Sequence, residues 1–245
     1  MEKKVKAETT SFSLHIMAMV CMLCDHLWGI SVVNHDVFTC IGRLAFPIYA
    51  FLIVEGYFHT GNLRKYVKRL FLFAILSEIP FNLVMGSSLF FPLHQNALWS
   101  LLISIGLIHW NEKVKGQQVW KRILVVLATL CIAYIGGMIT FVDYHNAGIF
   151  MVLTFYFFRG KKWWHYLGQL LCLWYINCEM IGGFGYEIPL LGDTYFVARQ
   201  SIALLALIPI WMYGGKQGYY SKTLQRIYYV FYPLHLLLLG ILKFL

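Results

Sequence analysis

Charge is what this sequence has least of. Asp, Glu, Lys and Arg together supply 13% of its 245 residues, roughly half the share of a typical soluble domain. A chain so poor in charge is neither an ordinary cytosolic enzyme nor a disordered segment. It also lacks a secreted disulfide framework: Cys21, Cys24, Cys131, Cys172 and Cys178 lie in apolar runs and Cys40 near the start of one. The Cys21–Cys24 spacing is that of a redox C-x-x-C, but on a membrane helix it reads more simply as two small packing residues. There is no P-loop, no dinucleotide fingerprint, no internal repeat and no connection long enough for a soluble domain. What is abundant is apolar surface, at 60% hydrophobic and 18% aromatic residues. The class that remains is a protein crossing the bilayer many times.

Continuous apolar stretches mark nine expected helices, at about 12–32, 37–58, 67–86, 95–110, 121–141, 144–158, 163–184, 196–213 and 226–244. The fourth is short and reads as tilted or partly re-entrant. The run after MEKKVKAETT is too long for a secretory signal and reads as the first of them. Because the runs are continuous rather than alternating, strands are not expected. The expectation is one all-α multipass domain over 1–245, with residues 1–11 as a short tail. The net charge of +9 sorts by loop: 17 of 20 basic residues, from Lys3, Lys4 and Lys6 to Lys216, Lys222 and Arg226, fall on alternate connections. Those connections face the cytoplasm, which puts the N-terminus inside and, with nine spans, the C-terminus outside the cell membrane. Basic residues interleaved with Tyr and Trp are interfacial anchors on this reading, not a nucleic-acid patch.

Ionisable residues within spans cost at least a few kcal/mol and are functional candidates by default. Here they are Asp25, Arg43, Glu55, Glu78 and Glu179, with Asp143 at a span's edge and His26 and His235 besides. A rise of about 1.5 Å per residue puts Asp25 and His26 roughly 20 Å across the first helix, and Arg43 roughly 9 Å below the outer boundary on the second. The two levels match. A polar centre in the outer half is expected, with Glu55 apart near the cytoplasmic end. Two roles are open for Arg43: neutralising Asp25 or Glu78 as a buried pair, or serving a reaction. Adjacent helical residues diverge, so Asp25 need not touch His26. No metal is expected, since His15 and His26 lie about 16 Å apart on their helix.

The run Met22-Leu23-Cys24-Asp25-His26-Leu27-Trp28-Gly29 resembles the M-x-x-D-H-x-x-G of TraX-type proteins. The likeness continues through Ile41-Gly42-Arg43-Leu44-Ala45-Phe46-Pro47, Glu55-Gly56-Tyr57, Ser77-Glu78-Ile79-Pro80-Phe81, Asp143-Tyr144 and Tyr232-Pro233-Leu234-His235. It is densest over 22–82. The resemblance implies N-terminal acetylation of pilin subunits and a distant similarity to multipass acyltransferases, with His26 in the role of their essential first-helix histidine. His15, Asn82 and His145-Asn146 depart from the family pattern, so a pilin acceptor does not follow automatically.

On this reading acetyl-CoA enters from the cytoplasm, its phosphates met by Arg64, Lys65, Lys68 and Arg69. An outer-face acceptor, a peptide amine or a glycan hydroxyl, gives its proton to His26, unless His26 itself carries the acetyl group. Asp25 assists, and Arg43 stabilises the oxyanion. Glu55, Glu78, Asp143, Glu179 and His235 form the supporting polar centre. Membrane lipid is the other partner, and self-association is left open. A proton-coupled transporter would use the same buried residues.

Overall fold

The computed structural model describes residues 8–190 and 193–244; the expected anchors Lys3, Lys4 and Lys6 lie outside the described residues. In chain order the elements are α1 (Ser11–Gly29), α2 (Asp36–Gly42), α3 (Ala45–His59), α4 (Leu63–Gly86), α5 (Ala97–Lys113), α6 (Val119–Ile139), α7 (His145–Phe157) and α8 (Trp163–Trp174). A π-helical turn, Tyr175–Ile181, extends α8. Strands β1 (Gly185–Leu190) and β2 (Asp193–Ala198) come next, then a 3₁₀ segment, Arg199–Ala206, then α9 (Leu207–Trp211) and α10 (Lys222–Lys243).

Short polar side chains begin the helices by accepting from otherwise unpaired N–H groups. Thr10 and Ser13 form a reciprocal capping box at α1. Asn62, Asn96 and Ser221 accept from the N–H of Lys65, Leu98 and Leu224 at α4, α5 and α10.

Among the described residues, five helical stretches are long and apolar enough to cross a membrane: Ser11–Gly29, Asp36–His59, Leu63–Gly86, Val119–Ile139 and Lys222–Lys243. The chain is a predominantly α-helical, multi-span membrane protein. Of the other expected spans, the fourth and sixth are the shorter single helices α5 and α7, and the seventh and eighth are built from pieces. The second span is interrupted at Arg43–Leu44, where α2 gives way to α3. The seventh changes from α to π at Tyr175, where Asn177 Nδ2 donates to the Leu173 carbonyl that an α-helix would offer to the Asn177 N–H. The eighth, expected as a helix over 196–213, is the end of β2, a 3₁₀ segment and one short α-turn.

The expectation of no strands is corrected: β1 and β2 form an antiparallel hairpin with Tyr186 opposite Val197 and Ile188 opposite Tyr195. Alternation over these six-residue runs is overwritten in the sequence by the apolar stretches on either side. β-branched and aromatic residues facing each other are nevertheless a favourable cross-strand set.

α7 is the central helix. Ile149, Met151, Val152, Leu153 and Phe155 are buried around its circumference, packed with Ile48 and Val54 of α3 and Ile105 and Ile108 of α5. A second cluster joins Phe81 and Val84 of α4 to Tyr232, Leu236 and Leu239 of α10. Lys243 Nζ donates to the Val84 carbonyl at 2.6 Å and ties the ends of these two helices. By contrast α6 leaves Ile123, Leu124, Leu127, Ile132 and Ile135 exposed, the surface that lipid would solvate. Its Gly137 rests directly on the backbone of His145 and Asn146 at the start of α7.

Candidate functional site

Between α1, α3, α4 and α10 lies a cavity of about 530 Å³. One end is lined by Ser11, Phe12, Thr60, Arg69, Gln217 and Tyr219, and the other by Met22, Asp25, His26, Asp143 and Tyr144. The Tyr213–Tyr220 connection reaches the first end through backbone bonds from Ser11 N–H to the Lys216 carbonyl (2.9 Å) and from Phe12 N–H to the Gln217 carbonyl (3.0 Å). The walls between are tyrosines and aliphatics, including Tyr49, Leu52, Ile53, Leu101, Tyr228 and Tyr232. A long slot, mostly apolar with a few convergent polar groups, is the usual form of a ligand site.

His26 lines this cavity, and its Nδ1 lies 2.8 Å from His235 Nε2. His235 is buried, and its own Nδ1 lies 2.6 Å from the Phe231 carbonyl one turn back on α10. The two imidazole planes are within 4° of parallel, with their ring centres 5.0 Å apart. Two residues separated by 209 positions thus share one hydrogen bond.

Asp25 does not touch His26 through a hydrogen bond. Its Oδ1 accepts from Arg43 Nη2 at 2.9 Å and from Thr39 Oγ1 at 2.8 Å. Arg43 Nη2 also donates to Thr39 Oγ1 at 2.6 Å, and Nη1 to Gln200 Oε1 at 3.4 Å. Gln200 Nε2 continues to Asn177 Oδ1 at 2.9 Å. The network thereby links α1, the α2–α3 break, the 3₁₀ segment and the π-turn. Gly42 permits it: a Cβ there would stand 2.3 Å from Asp25 Cβ. Of the two roles open to Arg43, the geometry is that of a pair with Asp25. Arg43 is not on the cavity wall.

The remaining candidates divide. Asp143 lines the cavity, accepts from the Tyr144 N–H and lies 3.3 Å from His94 Nε2. That hydrogen bond holds the His94 imidazole, in the α4–α5 connection, above its ordinary pKa range. Glu55 lines the cavity and accepts from Arg159 Nε at 2.7 Å, with His59 3.6 Å away. Glu78 is off the wall: one oxygen accepts from the backbone and side-chain amides of Asn96 and from the Trp99 indole, which seats the start of α5. Glu179 is exposed on the π-turn and is not on the wall. Arg64, Lys65, Lys68 and Arg69 are all exposed on the first turns of α4. Of the four, Arg69 lines the cavity, its guanidinium 5.6 Å from the centre of the Tyr229 ring.

The sequence reading missed Thr39, Asn177 and Gln200, which complete the Arg43 network. Their signal was available: each is an uncharged polar residue inside or beside an apolar run, and such groups need partners when buried. Cys21 and Cys24 are both free thiols. Among the described residues, no three His, Cys, Asp or Glu side chains converge as metal ligands would.

No solved structure matches this chain. A relative in Dichelobacter nodosus, the "Probable fimbrial assembly protein FimC, serogroup H1", is 25% identical over 255 residues, covering 94% of each chain. The family described as "TraX protein" matches residues 11–243, the whole helical bundle with its cavity and its His26–His235 pair, and the chain belongs to that family.

Proposed function

We propose that this protein is a membrane acetyltransferase. Acetyl-CoA enters at the Arg69 end of the cavity, on the cytoplasmic side. An amine or hydroxyl acceptor meets the thioester beside His26, in the outer half of the membrane. The observation that carries this reading is that a single cavity joins the end bearing Arg69 and Tyr219 to His26. A donor with a charged nucleotide and a slender pantetheine arm suits such a slot, which has a cation and several tyrosine faces at one end and a base at the other. Arg69 is assigned the phosphate contact, with Arg64, Lys65 and Lys68 contributing their field from the surface.

In the transfer, the acceptor N–H or O–H gives its proton to His26 while its lone pair attacks the thioester carbonyl carbon. The carbon–sulfur bond breaks, and the proton passes to the thiolate to give free CoA. A transient acetyl group on His26 satisfies the same balance and remains the alternative route. Arg43 is engaged by Asp25, Thr39 and Gln200 and stands off the wall. Its role is to hold the helix break behind His26 rather than to contact the oxyanion. The name of the Dichelobacter nodosus relative, a probable fimbrial assembly protein, supports an acceptor among fimbrial components, and the TraX resemblance implies an N-terminal amine as its chemical class. A proton-coupled carrier finds less support, because Asp25 is paired with Arg43 and one oxygen of Glu78 is engaged by Asn96 and Trp99.

Purified protein in vesicles, given acetyl-CoA labelled on the acetyl group, should release CoA and label an acceptor peptide. His26→Ala should lower that rate by more than about a hundredfold, the lower end for a positioned acid–base group. Near-normal transfer by that variant would remove His26 from the reaction, and solute uptake without CoA release would overturn the acetyltransferase reading.

A further inference from the structure

The hydrogen bond between His26 and His235 has a direction that the surrounding groups dictate. The Phe231 carbonyl can only accept, so His235 Nδ1, 2.6 Å from it, carries a proton. A neutral His235 then presents an unprotonated Nε2. The nitrogen 2.8 Å away, His26 Nδ1, must therefore be the donor. That leaves His26 Nε2 with its lone pair. Among the described residues nothing is hydrogen-bonded to Nε2, and His26 lines the cavity whereas His235 does not.

The ring geometry agrees. The 5.0 Å between ring centres exceeds the 2.8 Å between nitrogens by two imidazole radii, and the planes are within 4° of parallel. The rings are therefore joined edge to edge in one plane, not stacked face to face, and the His26 N–H points along the in-plane lone pair of His235.

We propose that His235 is a positioning residue. It holds His26 as the Nδ1–H tautomer, so that Nε2 faces the cavity as the proton acceptor or nucleophile of the transfer reaction. The inference rests on the acetyltransferase reading for its chemistry, but the tautomer itself does not depend on it. An imidazole free in water prefers its proton on Nε2, the arrangement that cannot act as a base toward the cavity. A neutral histidine whose own proton is tied to a main-chain carbonyl corrects that preference without placing a second charge in the membrane. When Nε2 takes the acceptor's proton, the cation keeps its Nδ1–H bond to His235. The same proton then returns to sulfur, and His26 is restored in its starting tautomer.

The test is nitrogen NMR on protein labelled with ¹⁵N-histidine in nanodiscs at neutral to mildly alkaline pH, with the His26 signals identified by their loss in His26→Gln. The expected result is an unprotonated Nε2 and a protonated Nδ1 for His26. In His235→Leu, which keeps the volume but removes the acceptor, the tautomers should mix or invert. In His235→Gln, whose amide oxygen can accept, the wild-type pattern should return in whole or in part. A protonated His26 Nε2 in the wild-type protein overturns the proposal. So does a His235→Leu spectrum unchanged from wild type, and if that variant does not fold, the wild-type spectrum decides. In transfer assays His235→Leu should lower kcat by about 10- to 100-fold, the scale found when the hydrogen-bond partner that orients a metal-ligating histidine is removed. The KM for acetyl-CoA should stay near wild type, with kcat partly restored by His235→Gln. An Nδ1–H tautomer in a protein that transfers no acetyl group would refute the acetyltransferase reading and leave the tautomer assignment standing. The reverse result would refute the tautomer alone.

Discussion

Replacing Arg43 with Gln tests whether the α2–α3 break is held by charge. The guanidinium makes the Nη2 bonds to Asp25 and Thr39 and the longer Nη1 bond to Gln200. Its removal leaves the Asp25 carboxylate with the Thr39 hydroxyl as its remaining partner in the network. Breaking a fully buried pair from one side costs about 3–5 kcal/mol, because the surviving charge stays desolvated. The two side chains here are 23% and 21% exposed. With that exposure and the retained Thr39 bond, the expected loss is about 2–3 kcal/mol. For a chain of this size that lowers the unfolding midpoint by roughly 5–10 °C. The assay is thermal unfolding in one detergent for wild type, Arg43→Gln, Asp25→Asn and the double variant. Because the carboxylate is the source of the penalty, Asp25→Asn added to Arg43→Gln should recover most of the loss. If transfer activity recovers with it, Arg43 acts through position; if stability recovers and activity does not, Arg43 has a direct part in the reaction. An unchanged midpoint in Arg43→Gln, or additive losses in the double variant, refutes the reasoning.

Gly137→Ala should destabilise by about 1–3 kcal/mol through overpacking, since its Cβ would lie 2.4 Å from Asn146 Cα. Gly136→Ala next to it meets only the Ile132 side chain at 3.9 Å and should be neutral or mildly stabilising in the same melt; equal effects at the two glycines would remove the α6–α7 contact from the account. His94 should titrate by NMR above the ordinary imidazole value, and Asp143→Asn should bring it down, leaving the weaker influence of Glu78. Because the folded value is raised, the stability this contact contributes is full below about pH 6.5 and is lost as pH climbs through the folded value; a stability difference between wild type and Asp143→Asn that grows with rising pH contradicts it. Single cysteines replacing Lys115 or Lys162 in a cysteine-free background should be shielded from an impermeant thiol reagent in intact cells, and cysteines at Asn34 or Asp193 should be labelled. The opposite pattern would invert the proposed entry side for acetyl-CoA.

The class of protein was legible from composition, because a chain with so few charges has only lipid or its own interior to face. The helices of α1, α3, α4, α6 and α10 were legible for a related reason: a continuous apolar run is local, and so are the short polar caps that start it. Asp25, His26 and Arg43 could be singled out because an ionisable group in such a run is costly wherever it ends up. Where they end up was a different matter. The approximate level of Arg43 beside Asp25 followed from helical rise, but Thr39 and Gln200 in the same network did not, because the interruption of the second span and the π-turn are set by packing and side-chain bonds between distant elements. Glu78 was a candidate for chemistry by the same cost argument that picked out Asp25. Only the packing of α4 against α5 brings Asn96 and Trp99 to it and engages one of its oxygens at the start of α5. The hairpin was hidden because its alternation lies between longer apolar runs. His26 and His235 were each visible as buried histidines, but their single shared hydrogen bond spans 209 residues and depends on α10 packing beside α1. Residue type and local spacing set what each group would cost in the membrane; only the packed helices decided which groups meet, because a hydrogen bond needs its two atoms within about 3 Å.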